Sequence, residues 1–349
     1  MRKERKDEHI EQVLRTEPYG GTLLDQVVLE PVSFPELALS DIDTSVEFFG
    51  RTIPAPLMIN AMTGGTDMTK GINRDLAQIA KDFGLPMQVG SQVIALEDPE
   101  AVDSFHIVRE TLGQDGLIIG NVSAGVSVDQ VARAMEMIDA QGIGIHVNPS
   151  QEMAQEEGDR DFRGLYDNLR RIAEAFPGKV IVKEVGFGMS RQDGRLLRDI
   201  PVEYIDVSGS GGTNFMEVED QRSMHRDLTE FYSWGIPTAK AIWNVHKECP
   251  NTKRIASGGI TTATDVLHAH VLGADMSAIS GELLRYLMHG SLEYAEEYLQ
   301  GVLDNIAMGL LLLGCRTMAD LHRIPYLMVG RLKELVDAEE RTEGRKGRV

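Results

Sequence analysis

Four side chains able to bind, orient or move protons fall within seven residues in His146-Val-Asn148-Pro-Ser-Gln151-Glu152. If a strand leads into them, His146 and Asn148 point to one side, because strand side chains alternate with period two. Pro149 then ends the strand, and Gln151 and Glu152 project from the turn into the same mouth. A carboxylate there suits Mg²⁺, which takes oxygen ligands, keeps several waters and bridges to substrate phosphates. The competing reading is a helix N-terminus in which Glu152 only favours the dipole and His146 is satisfied inside the sheet. Lys183 ends the apolar run Val-Ile-Val-Lys. A lysine inside a sheet core is costly unless paired, so its partner is Glu184, a bound anion or, in the competing structural reading, a salt bridge between barrel residues. Ser257-Gly258-Gly259-Ile260 and Ser280-Gly281-Glu282 can bring backbone amides close to an anion with no Cβ in the way. Either alone reads equally well as a tight turn.

These residues act together only if the chain carries them to one place. From residue 56 onward, short apolar runs alternate with amphipathic helical stretches, the pattern of a parallel sheet built from βα units. Strands are read near 56–60, 86–90, 116–122, 142–148, 179–186, 204–209, 253–258 and 275–280. Eight units predict an α/β fold, a closed (β/α)₈ TIM barrel with an N-terminal extension and C-terminal helices, whose strand ends share one face. The strand ends run into small or polar residues, from Asn60-Ala-Met-Thr-Gly-Gly65 to Ile279-Ser-Gly281. The two glycine loops then follow strands seven and eight, where barrels often hold a phosphate, and together they point to a phosphorylated ligand. The dinucleotide fingerprint does not apply, since Gly209-Ser-Gly211-Gly212 follows strand six and not strand one. Ser127 and Thr264 are read as helix caps. Asn214–Gly235 is too long for a plain βα loop and is read as a lid. The expected division is an N-terminal extension over 1–50, a barrel over 51–315 and a C-terminal helix with charged tail over 316–349, with Glu339–Val349 disordered.

A net charge of −19 disfavours nucleic acid and anionic membrane surfaces as partners, so an anionic ligand must meet locally concentrated positive charge. Cys249 and Cys315 form no C-x-x-C or zinc pattern and read as reduced, buried thiols of a cytoplasmic protein. The charged first residues are not a secretory signal. The oily run Ile306–Cys315 is about half of the roughly 20 residues a bilayer span needs, and reads as a buried helix. Arg5 and His9 of Arg5-Lys6-Asp7-Glu8-His9 share a face at i, i+4 in a helix, though a charged terminal run taken alone reads as solvated.

The ordered set Arg5-Lys-Asp-Glu-His9, Asn60-Ala-Met-Thr-Gly-Gly65, Val89-Gly-Ser-Gln92, His146 to Glu152, Lys183-Glu-Val-Gly-Phe-Gly188, Asp206 to Phe215 and Ala256-Ser-Gly-Gly259 resembles type 2 isopentenyl-diphosphate isomerases. The resemblance implies an FMN barrel, active with reduced flavin, that requires Mg²⁺ and shifts a double bond without net oxidation. It assigns FMN to Ala61, Met62, Thr63, Ser91, Asn121, Lys183, Ser208, Thr213, Gly258, Gly259, Ile260, Ser280 and Gly281. It assigns the diphosphate substrate to Arg5, Lys6, His9, His146, Asn148 and Gln151, the metal to Glu152, and catalytic roles to Gln151, His146 and Lys183. NADPH as reductant and a homo-oligomer, tetramer or octamer, are further expectations. Many members carry an arginine directly after Gly-Ser-Gln, whereas this chain has Val93, which shifts diphosphate binding onto Arg5, Lys6 and the metal. Two other classes are an FMN hydroxy-acid oxidase and a non-catalytic flavin- or phosphate-binding barrel. The first resembles a family with a histidine base in a Ser-Asn-His-Gly-x-Arg-type segment, where this chain reads Val207-Ser-Gly-Ser-Gly-Gly-Thr213.

Overall fold

The computed structural model describes residues 10, 12, 14, 21–222 and 227–346. The apolar runs form eight short strands: β1 (Leu57–Ile59), β2 (Met87–Gln88), β3 (Ile118–Ser123), β4 (Gly142–His146), β5 (Val180–Lys183), β6 (Tyr204–Asp206), β7 (Lys253–Ala256) and β8 (Met276–Ile279). All pair in parallel and close in chain order into a barrel. The helices are α1 (Asp67–Asp82), α2 (Val93–Glu97), α3 (Asp103–Leu112), α4 (Val128–Met137), α5 (Pro149–Ala154), α6 (Leu165–Ala175), α7 (Arg191–Leu197), α8 (Phe215–Arg222), α9 (Thr238–Glu248), α10 (Ala263–Val271), α11 (Gly281–His289), α12 (Leu292–Leu312) and α13 (Gly330–Lys346). The chain is therefore a (β/α)₈ TIM barrel.

Local chemistry sets the helix starts. Ser127 caps α4, its hydroxyl accepting from the Gln130 amide while the Gln130 side chain returns to the Ser127 amide. For α10 the cap is Thr262 and not Thr264, because Asp265 lies three residues after Thr262 and completes the reciprocal box. The oily run ends α12, which buries Ile306 and Leu310 against α10 and α11. Glu339 and the residues after it, expected to be disordered, continue α13 through Lys346. Leu332 and Val336, one turn apart, are buried, and Lys240 of α9 pairs with Glu339 at 2.5 Å. No helix among the described residues is long and apolar enough to cross a membrane.

Two packed layers hold the barrel. Between strands and helices lies a continuous aliphatic layer that includes Leu57, Ile79, Val122, Ile145, Val182 and Ile279. Inside the barrel a smaller cluster gathers Met58, Ile119, Ile181, Tyr204, Ile255 and Met276. An antiparallel hairpin, Val46–Phe48 with Arg51–Ile53, closes the N-terminal end of that interior. Phe48 is fully buried, its ring 4.8 Å from both Tyr204 and Phe49. Burying a phenylalanine this way contributes about 1.5–3 kcal/mol.

Candidate active site

Sheet register assembles the floor of the opposite end. Ser123, His146, Lys183 and Asp206 are successive partners across β3, β4, β5 and β6, so the last residues of neighbouring strands stand side by side. Lys183 is 5% exposed, with Nζ 3.7 Å from Asp206 Oδ2 and donating to the Glu184 carbonyl at 3.2 Å. Its ionic partner is thus Asp206. The Glu184 side chain faces away from the barrel interior, as period two requires, and Oε2 accepts from the Phe187 and Gly188 amides. Burial outweighs those amides and pushes the Glu184 carboxyl up to about 8. Asp206, fully buried, also accepts from Asn60 Nδ2 at 3.1 Å, from the Ser208 amide at 3.3 Å and from Ser257 Oγ. A buried pair adds little net stability, but it fixes a positive charge at this floor.

β4 ends at His146, two residues short of the expected strand, and Pro149 opens α5 at its first position instead of ending a strand. Gln151 and Glu152 therefore project from the first turn of a helix, and both line the mouth. His146 Nδ1 lies 3.0 Å from Asn121 Oδ1. Asn148 Nδ2 donates to Gln151 Oε1 at 3.2 Å and to Glu152 Oε1 at 3.0 Å, while Glu152 Oε2 accepts from the Asp159 amide. The segment read as a lid is α8 followed by a 3₁₀ turn, Thr229–Trp234. From α8, buried Glu219 accepts from Gln151 Nε2 at 3.3 Å and Gln155 Nε2 at 2.8 Å, and pairs with Arg222.

The resulting mouth is a cavity of about 930 Å³. Ala61, Met62, Thr63, Ser91, Asn121, Lys183, Ser208, Thr213, Gly258, Ser280 and Gly281 all line it, as do His146, Asn148, Gln151 and Glu152. Gly259 instead packs its backbone against Gly211, and Ile260 is buried in the outer aliphatic layer. Arg5, Lys6 and His9 lie outside the described residues. Asn60, Asp206, Gln155, Glu219 and Arg222 were not singled out from the sequence. Asp206 carries the same signal as Lys183, a charge closing an apolar strand, whereas Glu219 and Arg222 enter through the fold of the lid segment. Arg222 adds a cation to a mouth where Val93 offers none.

An FMN fits these residues on two observations. Thr63 Oγ1 is buried in the mouth wall with no hydrogen-bond partner among the described residues, a group that a ligand would satisfy. Gly258, at φ +92°, lies so close to the Gly209 carbonyl that a Cβ would sit 2.1 Å away, so this rim is shaped by bare backbone. For Mg²⁺, no group of three or more His, Cys, Asp or Glu among the described residues forms a cage.

Residues 120–326 match the FMN-dependent dehydrogenase family. In the overall fold, the chain is similar to a mandelate oxidase with a monooxide FMN adduct, at TM-score 0.64 and 16% identity over 88% of this chain and 90% of that one. It is similar also to a mutant flavocytochrome b2 with pyruvate bound, at TM-score 0.67 and 14% identity over 90% and 78%. At those identities the likeness shows the barrel alone. Sequence relatives narrow it: the isopentenyl-diphosphate delta-isomerase of Listeria monocytogenes is 36% identical over 95% of this chain and 93% of its own length. That of Symbiobacterium thermophilum is 39% identical over 95% and 93%. The chain belongs to the isopentenyl-diphosphate delta-isomerases of the FMN-dependent, type 2 kind.

Proposed function

We propose that this enzyme interconverts isopentenyl diphosphate and dimethylallyl diphosphate by a 1,3-allylic proton shift, with reduced FMN in the mouth and Mg²⁺ on Glu152. The observation that carries the reading is the make-up of the mouth, which brings the glycine loops after β7 and β8 together with Lys183 and with the Asn148, Gln151 and Glu152 set. No cysteine lines it, and burial pushes both thiols up to about 11, so a thiolate nucleophile is not on offer. Moving a double bond by one carbon needs a proton added at one end and another removed.

Bound in its reduced form, FMN supplies that acid–base chemistry at N5. Lys183, held by Asp206, would place its charge at the cofactor's anionic N1/O2 edge, and Thr63 Oγ1 would gain its missing partner there. Gly258, Ser280 and Gly281 would receive the cofactor's phosphate. His146, Asn148 and Gln151, with Arg5 and Lys6, would bind the substrate diphosphate. Glu219 fixes the Gln151 amide by accepting from Nε2, and Asn148 fixes its carbonyl oxygen, so Gln151 cannot swing freely beside the substrate. We further infer a cytoplasmic homo-oligomer, tetramer or octamer, whose flavin is reduced by NADPH.

The test is anaerobic turnover of isopentenyl diphosphate. The oxidised protein should be inactive until dithionite or NADPH reduces it, and one reduction should then support many turnovers. Replacement of FMN by its 5-deaza analogue should leave binding intact and stop isomerisation. Glu152→Gln should abolish the Mg²⁺ requirement together with most activity while the flavin stays bound. An unchanged Mg²⁺ titration in that variant, or a 5-deaza enzyme as fast as the FMN enzyme, overturns the respective assignment. Oxidation of a 2-hydroxy acid with no isomerisation would replace the whole reading.

A further inference from the structure

A second cavity, of about 410 Å³, opens on the outside of the barrel next to the mouth and shares no lining residue with it. Leu165 and Leu169 of α6, Leu197 of α7, Val182 of β5 and Met216 and Phe231 of the lid segment form its walls. At its rim stand Leu196, 45% exposed, and Trp234, 71% exposed. Packed interiors rarely leave voids larger than a water molecule, and cavities of roughly 300–1,000 Å³ lined by apolar and aromatic side chains with a few placed polar groups are the usual form of small-molecule sites.

The polar group here is Glu184. The residue is 7% exposed, one carboxyl oxygen is held by the Phe187 and Gly188 amides, and among the described residues no side chain pairs with the carboxyl. Lys183 and Glu184, adjacent at one strand end, thus serve different cavities, the first the mouth and the second this crevice. Among the described residues no lysine, arginine or histidine lines the crevice, and its other carboxylate, Asp193, is taken up in capping Ser190. An anionic ligand such as a diphosphate therefore finds no counter-charge among the described lining residues. Burial raises the Glu184 pKa to about 8, so at neutral pH the carboxyl is protonated and has an O–H to donate.

We propose that this crevice is a second ligand site, which takes one uncharged, chain-like hydrocarbon molecule ending in a hydroxyl or carbonyl oxygen. The oxygen accepts from Glu184, the chain lies along the leucine faces of α6 and α7, and the open end passes Trp234. The volume admits on the order of a dozen carbon-sized groups, taking about 30 Å³ for each. Met216 of this crevice and Arg222 of the mouth both belong to α8, so the two cavities adjoin one element.

The experiment titrates the full-length flavin-loaded protein with 1-decanol, followed by calorimetry and, in a Trp243→Phe background that leaves Trp234 as the reporter, by tryptophan emission. One saturable site with a blue-shifted emission is expected, and saturating inorganic diphosphate with Mg²⁺ should leave it unchanged. Leu169→Trp and Val182→Phe, which fill the cavity, should each weaken binding at least tenfold, and Glu184→Leu should weaken it similarly. The flavin spectrum identifies which variants are folded. Decyl phosphate, tested with the mouth blocked by diphosphate, should bind at least tenfold more weakly than 1-decanol. Absence of saturation, equal affinity in every folded variant, or displacement of 1-decanol by diphosphate overturns the proposal. So does failure to saturate combined with a smaller sedimenting species for Trp234→Ser, which makes the crevice a contact between copies of the chain.

Discussion

At the N-terminal end of the barrel, Phe48, Phe49 and Tyr204 pack ring against ring at 4.8–5.2 Å over a floor of Met58, Ile181 and Ile255. At the C-terminal end, two or three residues further along the same strands, Lys183 meets Asp206 at 3.7 Å and Thr63 Oγ1 has no partner among the described residues. One end is finished by ring and aliphatic packing. The other end keeps charge and an unsatisfied hydroxyl out of water, an arrangement that costs stability unless something binds. The barrel separates the two demands by strand length alone: Tyr204 opens β6 and Asp206 closes it. Damage at the two ends should accordingly read out in different measurements.

The largest effect is expected at the mouth. Lys183→Met leaves Asp206 buried without its cation, a loss of about 3–5 kcal/mol of folding stability. FMN affinity and turnover should both collapse. Adding Asp206→Leu removes the uncompensated charge, so the denaturation midpoint should recover toward wild type while turnover does not. If the double variant recovered turnover as well, the pair would be scaffold, and the contrast between the two ends would fail.

At the closed end Phe48→Ala should destabilise the fold by about 3–5 kcal/mol through the cavity it leaves. Reduced-enzyme turnover per folded molecule, measured well below the melting point, should stay within about twofold of wild type. A fall in turnover much larger than that would mean that the hairpin shapes the mouth through the barrel and is more than a plug.

The two ends also differ in how far the sequence announces them. Strand positions were legible because each apolar run is bounded by glycine or polar residues, and Lys183 was legible as a charge closing such a run. Asp206 has the same signature, yet choosing it over Glu184 as the partner needs the cross-strand register, which pairs residues more than twenty positions apart. The cap at Thr262 was readable from Thr262-x-x-Asp265, the spacing of a capping box. In α13 a C-terminal helix was legible, with Leu332 and Val336 at i, i+4 marking its buried stripe, and charge hid only its continuation past Glu339. Glu219, Arg222 and the outer crevice depend on how the segment after β6 folds back, and no local pattern encodes that contact.

The smallest effect separates scaffold from mouth by pH. His270, near the end of α10, is fully buried with Nε2 unpartnered, and burial lowers its pKa from 6.5 to about 3, helped by nearby His322. His246 and His322 are lowered in the same direction, chiefly by burial, beside the Arg254 and Asp275 ion pair at 3.1 Å. For a histidine whose folded pKa is depressed, the unfolded chain binds the proton first. Stability is therefore intact above the unfolded pKa of 6.5 and is lost as pH falls from 6.5 toward about 3. At pH 5, which is 1.5 units below 6.5 and still above the folded value, that loss is about 2 kcal/mol for His270 alone, at 1.36 kcal/mol per unit. His270→Phe keeps an aromatic ring in the site and removes the proton acceptor. The drop in melting temperature between pH 7.5 and pH 5 should shrink in the variant by the equivalent of about 2 kcal/mol, with FMN affinity unchanged at both values. A drop as large as wild type would assign the acid sensitivity to other groups. A variant that also lost FMN at pH 5 would show that the outer helical layer and the mouth are not independent.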